Sequence, residues 1–265
     1  MTSTYRLHYT QKGSPSLPPI VFLHGFTGCG HDWRGVVDGL SDSFHCLLPD
    51  LPGHGQTIVD GSDEEFHMDR VACGLVRWLD ELSIEKCHLV AYSMGGRLGL
   101  YLAINYSDRF DRIVLESSSP GLKTEEERAV RRAHDALITK KLQTMPVEEF
   151  MREWYDQPLF DSLRQYPDKL EGLLKDRSRA DMAGWAKSLA MMGTGQQASL
   201  WPRLNEVKAS LRLIVGEKDA KFQEIAKEMA EEILGTTVAV VAGAGHNVHL
   251  EQPVAFVEQV RQYLT

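Results

Sequence analysis

A serine, an aspartate and a histidine stand in this 265-residue chain where the local sequence could make them work together. Ser93 lies in Leu89-Val90-Ala91-Tyr92-Ser93-Met94-Gly95-Gly96, an apolar strand pattern running straight into a helical one. Small residues at 91 and 95 let the two backbones crowd around a tight turn that exposes the serine hydroxyl. The usual form of the turn is G-x-S-x-G, and here Ala91 takes the place of the first glycine. A hydroxyl alone reacts poorly; it needs an imidazole beside it, and the imidazole needs a carboxylate to orient it. The chain order that goes with this turn is serine, acid, histidine. Asp219, in Gly216-Glu217-Lys218-Asp219, and His246, in Gly243-Ala244-Gly245-His246-Asn247, fit that order, and each follows a strand pattern. Glu217 is the alternative acid. His246 and His249 are three apart, a spacing open to a metal, but no third ligand cluster accompanies them.

Those residues need strands to hold them. Apolar runs at Pro19–Leu23, Phe44–Leu48, Cys87–Tyr92, Arg112–Glu116, Leu211–Val215 and Thr237–Val241 alternate with helical patterns. In one helical pattern Val71, Leu75, Trp78, Leu79 and Leu82 recur at three- and four-residue spacing. Such alternation predicts an α/β fold, a mostly parallel sheet covered by helices on both faces. Residues 121–200 break the rhythm with helical charge patterning and no strand, which predicts a helical cap inserted into a core made of 1–120 and 201–265. Ligands of open α/β sheets sit at the carboxyl ends of strands, where such an insertion would emerge. A stabilising decoration is the plainer alternative.

Composition closes off other classes. The chain is 43% hydrophobic and 25% charged, ordinary for a globular protein. Its 29 basic and 37 acidic residues give a net charge of −8, which disfavours nucleic acid and anionic membrane surfaces as partners. No apolar run approaches the ~18 residues that span a bilayer. The start, MTSTYRLHYT, lacks a secretory pattern, and Cys29, Cys46, Cys73 and Cys87 are scattered, so a cytoplasmic, reducing setting is expected. The glycines of His24-Gly25-Phe26-Thr27-Gly28 form neither G-x-G-x-x-G nor a phosphate loop, which excludes dinucleotide binding.

HGFTG, DLPGHG, AYSMGG, GEKD and GAGHNVHLEQP together resemble the α/β-hydrolase superfamily over essentially the whole chain. That resemblance implies an oxyanion hole built from the backbone N–H groups of Phe26 and Met94. Ser93 in the nucleophile position argues against the aspartate-dependent dehalogenase and epoxide hydrolase branches. SMGGR, SPGL, EEERAVRR, WYDQPLF, GEKDAKF and GHNVHLEQP are more discriminating. They resemble the 2-succinyl-6-hydroxy-2,4-cyclohexadiene-1-carboxylate synthases, pyruvate-eliminating lyases of menaquinone and phylloquinone biosynthesis. The resemblance implies a Ser93–His246–Asp219 triad acting on a small multi-carboxylate substrate. Arg97, Arg131 and Arg177 would hold carboxylates, with Tyr92, Trp154 and Phe222 lining the pocket and Lys221 at its edge. Arg179 is the rival of Arg177, and of Arg128, Arg131, Arg132, Arg177 and Arg179 most are expected to be solvated surface charges. Neither a metal nor an organic cofactor is implied, and the sequence leaves the oligomeric state open. The alternative function is a serine hydrolase of C–C or ester bonds, which would have no need of several cations. A receptor that has lost catalysis is a more distant alternative, since all three triad residues are present.

Overall fold

In the computed structural model, residues 4–178 and 180–265 are described. Among the described residues the strands are Tyr5–Arg6 (β1), Tyr9–Lys12 (β2), Pro19–Leu23 (β3), His45–Pro49 (β4), Ile58–Val59 (β5), Cys87–Tyr92 (β6), Phe110–Glu116 (β7), Ser210–Gly216 (β8) and Thr237–Val241 (β9). Seven form one sheet in the order β2-β4-β3-β6-β7-β8-β9, parallel except for β2 against β4. β1 and β5 make a separate antiparallel pair.

Alternate residues of the central strands serve opposite faces of the sheet, as a period of two requires. Val21, Leu23, Leu89 and Ala91 join one apolar cluster, while Ile20, Phe22, Val90 and Tyr92 join the other. A strand buried on both sides has to be apolar throughout, which is why β3 and β6 read as continuous hydrophobic runs.

The α-helices are Arg34–Val37 (α1), Met68–Glu81 (α2), Ser93–Asn105 (α3), Glu125–Thr144 (α4), Val147–Tyr155 (α5), Pro167–Asp176 (α6), Met182–Met192 (α7), Ala220–Glu232 (α8), Val248–Glu251 (α9) and Pro253–Leu264 (α10). Four of them, α4 to α7, lie between β7 and β8 with a 3-10 stretch at Pro158–Gln165, and no strand is described there. They share a core of their own, including Leu142, Phe150, Tyr155, Phe160 and Trp185. α4 begins at a capping box: Glu127 N donates to Thr124 Oγ1 at 3.2 Å, and Thr124 N donates to the Glu127 carboxylate at 3.0 Å. Among the described residues no helix is long and apolar enough to cross a membrane.

Candidate active site

Three chain turns at the carboxyl edge of the sheet converge on one point. β6 ends at Tyr92 and α3 starts at once with Ser93, whose φ of 49° lies in the left-handed region. That conformation is costly for a residue with a side chain and persists only where surrounding packing imposes it. Gly95 supplies the room: a Cβ there would lie 2.5 Å from the Leu23 carbonyl oxygen, so only glycine lets α3 pass this close to β3. Past β8, Asp219 caps the start of α8, accepting from Phe222 N at 3.3 Å. Past β9, the segment 242–247 delivers His246.

The result is a hydrogen-bonded line. His246 Nδ1 lies 2.7 Å from Asp219 Oδ2 and His246 Nε2 lies 3.2 Å from Ser93 Oγ. Both Asp219 and His246 are buried. Glu217, the alternative acid, is exposed and accepts from Gly243 N at 2.8 Å, so it takes no part in the line. His249 is likewise committed elsewhere, with Nδ1 at 2.7 Å from the buried Glu116 carboxylate.

A cavity of about 230 Å³ opens over Ser93. Phe26, Tyr92, Met94, Arg97, Arg131, Trp154, Lys221, Phe222 and His246 all line it. Met94 is in the first turn of α3, where backbone N–H groups have no partner within the helix and point outward. Phe222 packs on His246 with ring centroids 4.5 Å apart, and Phe26 meets Trp154 edge-on at 5.1 Å.

Arg97 is buried at 8% exposure, and its Nη1 donates to Met192 O at 3.0 Å and Gln197 Oε1 at 2.7 Å. Burial, helped by the like charge of Arg131, lowers its pKa to about 10, so it remains a cation at neutral pH. Arg131 is half-buried and donates from Nε to Asp135 at 2.6 Å.

Arg177 is a correction. Its guanidinium is buried in an ion pair with Asp32 at 2.5 Å and lines a neighbouring cavity, of about 310 Å³, instead of the one over Ser93. Phe26, Tyr92 and Phe160 line both cavities. Arg177 is the C-cap of α6 and reaches Asp32 in the 30–33 segment of the core. Its rival Arg179 lies outside the described residues. Arg128 and Arg132 are part-buried; both pair with Glu125, and Arg132 also donates to Gly195 O at 3.0 Å.

Sequence reasoning missed Gln197, the buried partner of Arg97, and Glu251. The Glu251 carboxylate accepts from Gly245 N at 2.8 Å and Asn247 N at 3.3 Å, on either side of His246. It also accepts from Ser162 Oγ at 3.0 Å. A glutamate in GHNVHLEQP five residues after the histidine was visible, but its target was not.

Strand order, the turn at Ser93 and the serine–aspartate–histidine chain order define the class, an enzyme site on an α/β-hydrolase fold. The sequence profile of the alpha/beta hydrolase fold family matches residues 18–253. A protein of Escherichia coli O1:K1 named 2-succinyl-6-hydroxy-2,4-cyclohexadiene-1-carboxylate synthase is 34% identical over 97% of this chain and 98% of its own length. Protein PHYLLO, chloroplastic, of Arabidopsis thaliana is 33% identical over 92% of this chain, which spans only 15% of that longer protein. The structure of MenH from S. aureus superposes with a TM-score of 0.92 at 34% identity, covering 97% of both chains. The chain belongs to the α/β-hydrolase fold family, in its 2-succinyl-6-hydroxy-2,4-cyclohexadiene-1-carboxylate synthase branch.

Proposed function

We propose that the protein eliminates pyruvate from 2-succinyl-5-enolpyruvyl-6-hydroxy-3-cyclohexene-1-carboxylate to give 2-succinyl-6-hydroxy-2,4-cyclohexadiene-1-carboxylate. One observation carries the reading. The Ser93–His246–Asp219 line shares its cavity with Arg97, a buried cation that has no carboxylate partner among the described residues. A pocket for a neutral ester has no use for such a group, whereas a guanidinium binds a carboxylate strongly and in fixed geometry.

The ring proton beside the succinyl ketone is the acidic one. His246 takes the Ser93 hydroxyl proton while Ser93 Oγ removes that ring proton, and Asp219 stabilises the imidazolium. The electron pair released forms a new ring double bond, the existing one shifts by one position, and the C–O bond to the enolpyruvyl group breaks. Negative charge gathers meanwhile on the ketone oxygen, for which the N–H groups of Phe26 and Met94 are the donors. The enolate leaves, is protonated and becomes pyruvate, with His246 as the proton source. Positioned proton transfer contributes about 10²–10⁴-fold, and one oxyanion donor about 10²–10³-fold. Arg97 and Arg131 hold substrate carboxylates, and Tyr92, Trp154 and Phe222 form the walls, with Lys221 at the rim. The four helices α4–α7 act as a cap that closes the site from above.

Pyruvate release from this substrate, coupled to lactate dehydrogenase and NADH, tests the proposal beside p-nitrophenyl acetate hydrolysis. Fast pyruvate release with negligible esterase activity is expected, and Ser93→Ala should abolish it while binding persists. Esterase activity without pyruvate release would return the protein to the serine hydrolases, and a retained rate in Ser93→Ala would remove serine as the base.

A further inference from the structure

Arg97 is held by two neutral oxygens. Its Nη1 donates to the Met192 carbonyl and to Gln197 Oε1, both contributed by the chain between β7 and β8. The nearby Asp135 carboxylate is bound by Arg131 instead. Gln197 is 4% exposed, and because a guanidinium carries only donors, the amide oxygen must be the atom that faces it. The other end of the amide, Nε2, is buried with no hydrogen-bond partner. It lies against Gly121, whose φ of 87° suits glycine and where a Cβ would stand 3.0 Å from Nε2.

A buried donor left unpaired is unfavourable, and so is a buried cation without a counter-ion. A glutamate of the same shape at position 197 would remove the idle donor, leaving a buried carboxylate oxygen in its place, and would set a charge opposite the guanidinium. The amide does neither. What it preserves is the net positive charge that Arg97 presents to the cavity over Ser93.

We infer that Gln197 is a positioning residue that sets the charge selectivity of the pocket. It aims Arg97 into the cavity through a neutral acceptor, so that the guanidinium stays free to take an anionic group of the substrate as its counter-ion. The inference rests on the reading that Arg97 meets a substrate carboxylate.

Gln197→Glu, Gln197→Met and Arg97→Ala are to be compared in the full chain by pyruvate release, with Tm measured on each. Gln197→Glu should raise KM by about tenfold or more, with kcat falling less than KM rises and Tm equal to or above the parent's. Gln197→Met removes the acceptor but adds no charge, and should raise KM less than Gln197→Glu does. The inference is overturned by a Gln197→Glu KM within about threefold of the parent's or by a lowered Tm in that variant. It is equally overturned by a Gln197→Met as damaging as Gln197→Glu, since a merely structural amide would behave so. Arg97→Ala separates the two levels of the argument. A raised KM there with Gln197→Glu silent would sink only the role of Gln197, whereas an unchanged KM would sink the carboxylate reading and that role with it.

Discussion

Two arginines of the same expected role differ because of what stands beside them. Arg97 meets neutral oxygens and faces the cavity over Ser93; Arg177 meets Asp32. Burial resists ionisation of the Asp32 carboxyl, but the charge and hydrogen bond of Arg177 outweigh it and hold the group below the usual carboxylate range. Asp32 also accepts from Cys29 N at 3.2 Å, which fixes the turn entering the 30–33 segment. Removing one partner of a buried ion pair strands the other charge, at a cost of about 3–5 kcal/mol. Arg177→Ala should therefore lower stability in urea by that amount, while the KM for substrate of the variant kept folded in the cold stays within about threefold. A tenfold rise in KM with stability intact would put Arg177 back among the substrate ligands. The hydrogen-bonded line of Ser93, His246 and Asp219 was legible from sequence because each member follows a strand whose pattern is local. Gln197 was not, since its partner lies 100 residues away and no periodicity sets the insertion's register against the core.

At the scale of elements, three of the six strands read from the sequence, β3, β6 and β9, match to the residue, and β4, β7 and β8 are displaced or extended by one or two. β1 and β5 escaped because they are two residues long, too short to show any period, and β2 because it is a four-residue, mostly polar edge strand, which needs no apolar run. The insertion touches the His246 segment through Glu251. A Cβ on Gly245 would lie 1.9 Å from Ser162 Oγ, so glycine is what lets the 158–165 stretch approach this closely. The carboxylate of Glu251 then binds the backbone on both sides of His246 and the hydroxyl from the insertion. An amide offers one acceptor atom where the carboxylate offers two, so Glu251→Gln must release part of this grip. A misplacement of about 1 Å in a reacting group costs on the order of 10²-fold. Steady-state kinetics of Glu251→Gln should accordingly show kcat reduced by about that factor with little change in KM. Ser162→Ala, which cuts only the tie to the insertion, should lose about tenfold or less. A Glu251→Gln enzyme with the parent's kcat would leave Glu251 as a fold residue only.

Across the whole molecule, the sheet's carboxyl edge is kept in place by histidines that must remain neutral. His24, directly after β3, is buried and uses both ring nitrogens: Nε2 accepts from Leu51 N at 2.9 Å, and Nδ1 donates to the Gly25 carbonyl at 2.8 Å. A second proton on Nε2 would break the bond from Leu51. His54 is also buried, 5.0 Å from His24 between ring centroids, with Nδ1 at 3.2 Å from the Pro52 carbonyl. Burial lowers the pKa of both, and in His54 the neighbouring His24 acts in the same direction. In the unfolded chain each would titrate near 6.5. As pH falls through that value the unfolded state gains protons that the folded state refuses, so the folded state loses stability. Each such proton changes stability by about 1.4 kcal/mol per pH unit until the lowered folded pKa is reached. The urea midpoint should thus be nearly flat from pH 8 to 7 and fall steadily from about 6.5 to 5. In His54→Gln, whose residue 54 takes up no proton in either state, the fall should be shallower by about one proton's worth. Equal slopes for the parent and His54→Gln would mean that His54 accepts its proton in the folded protein, and that burial does not keep it neutral.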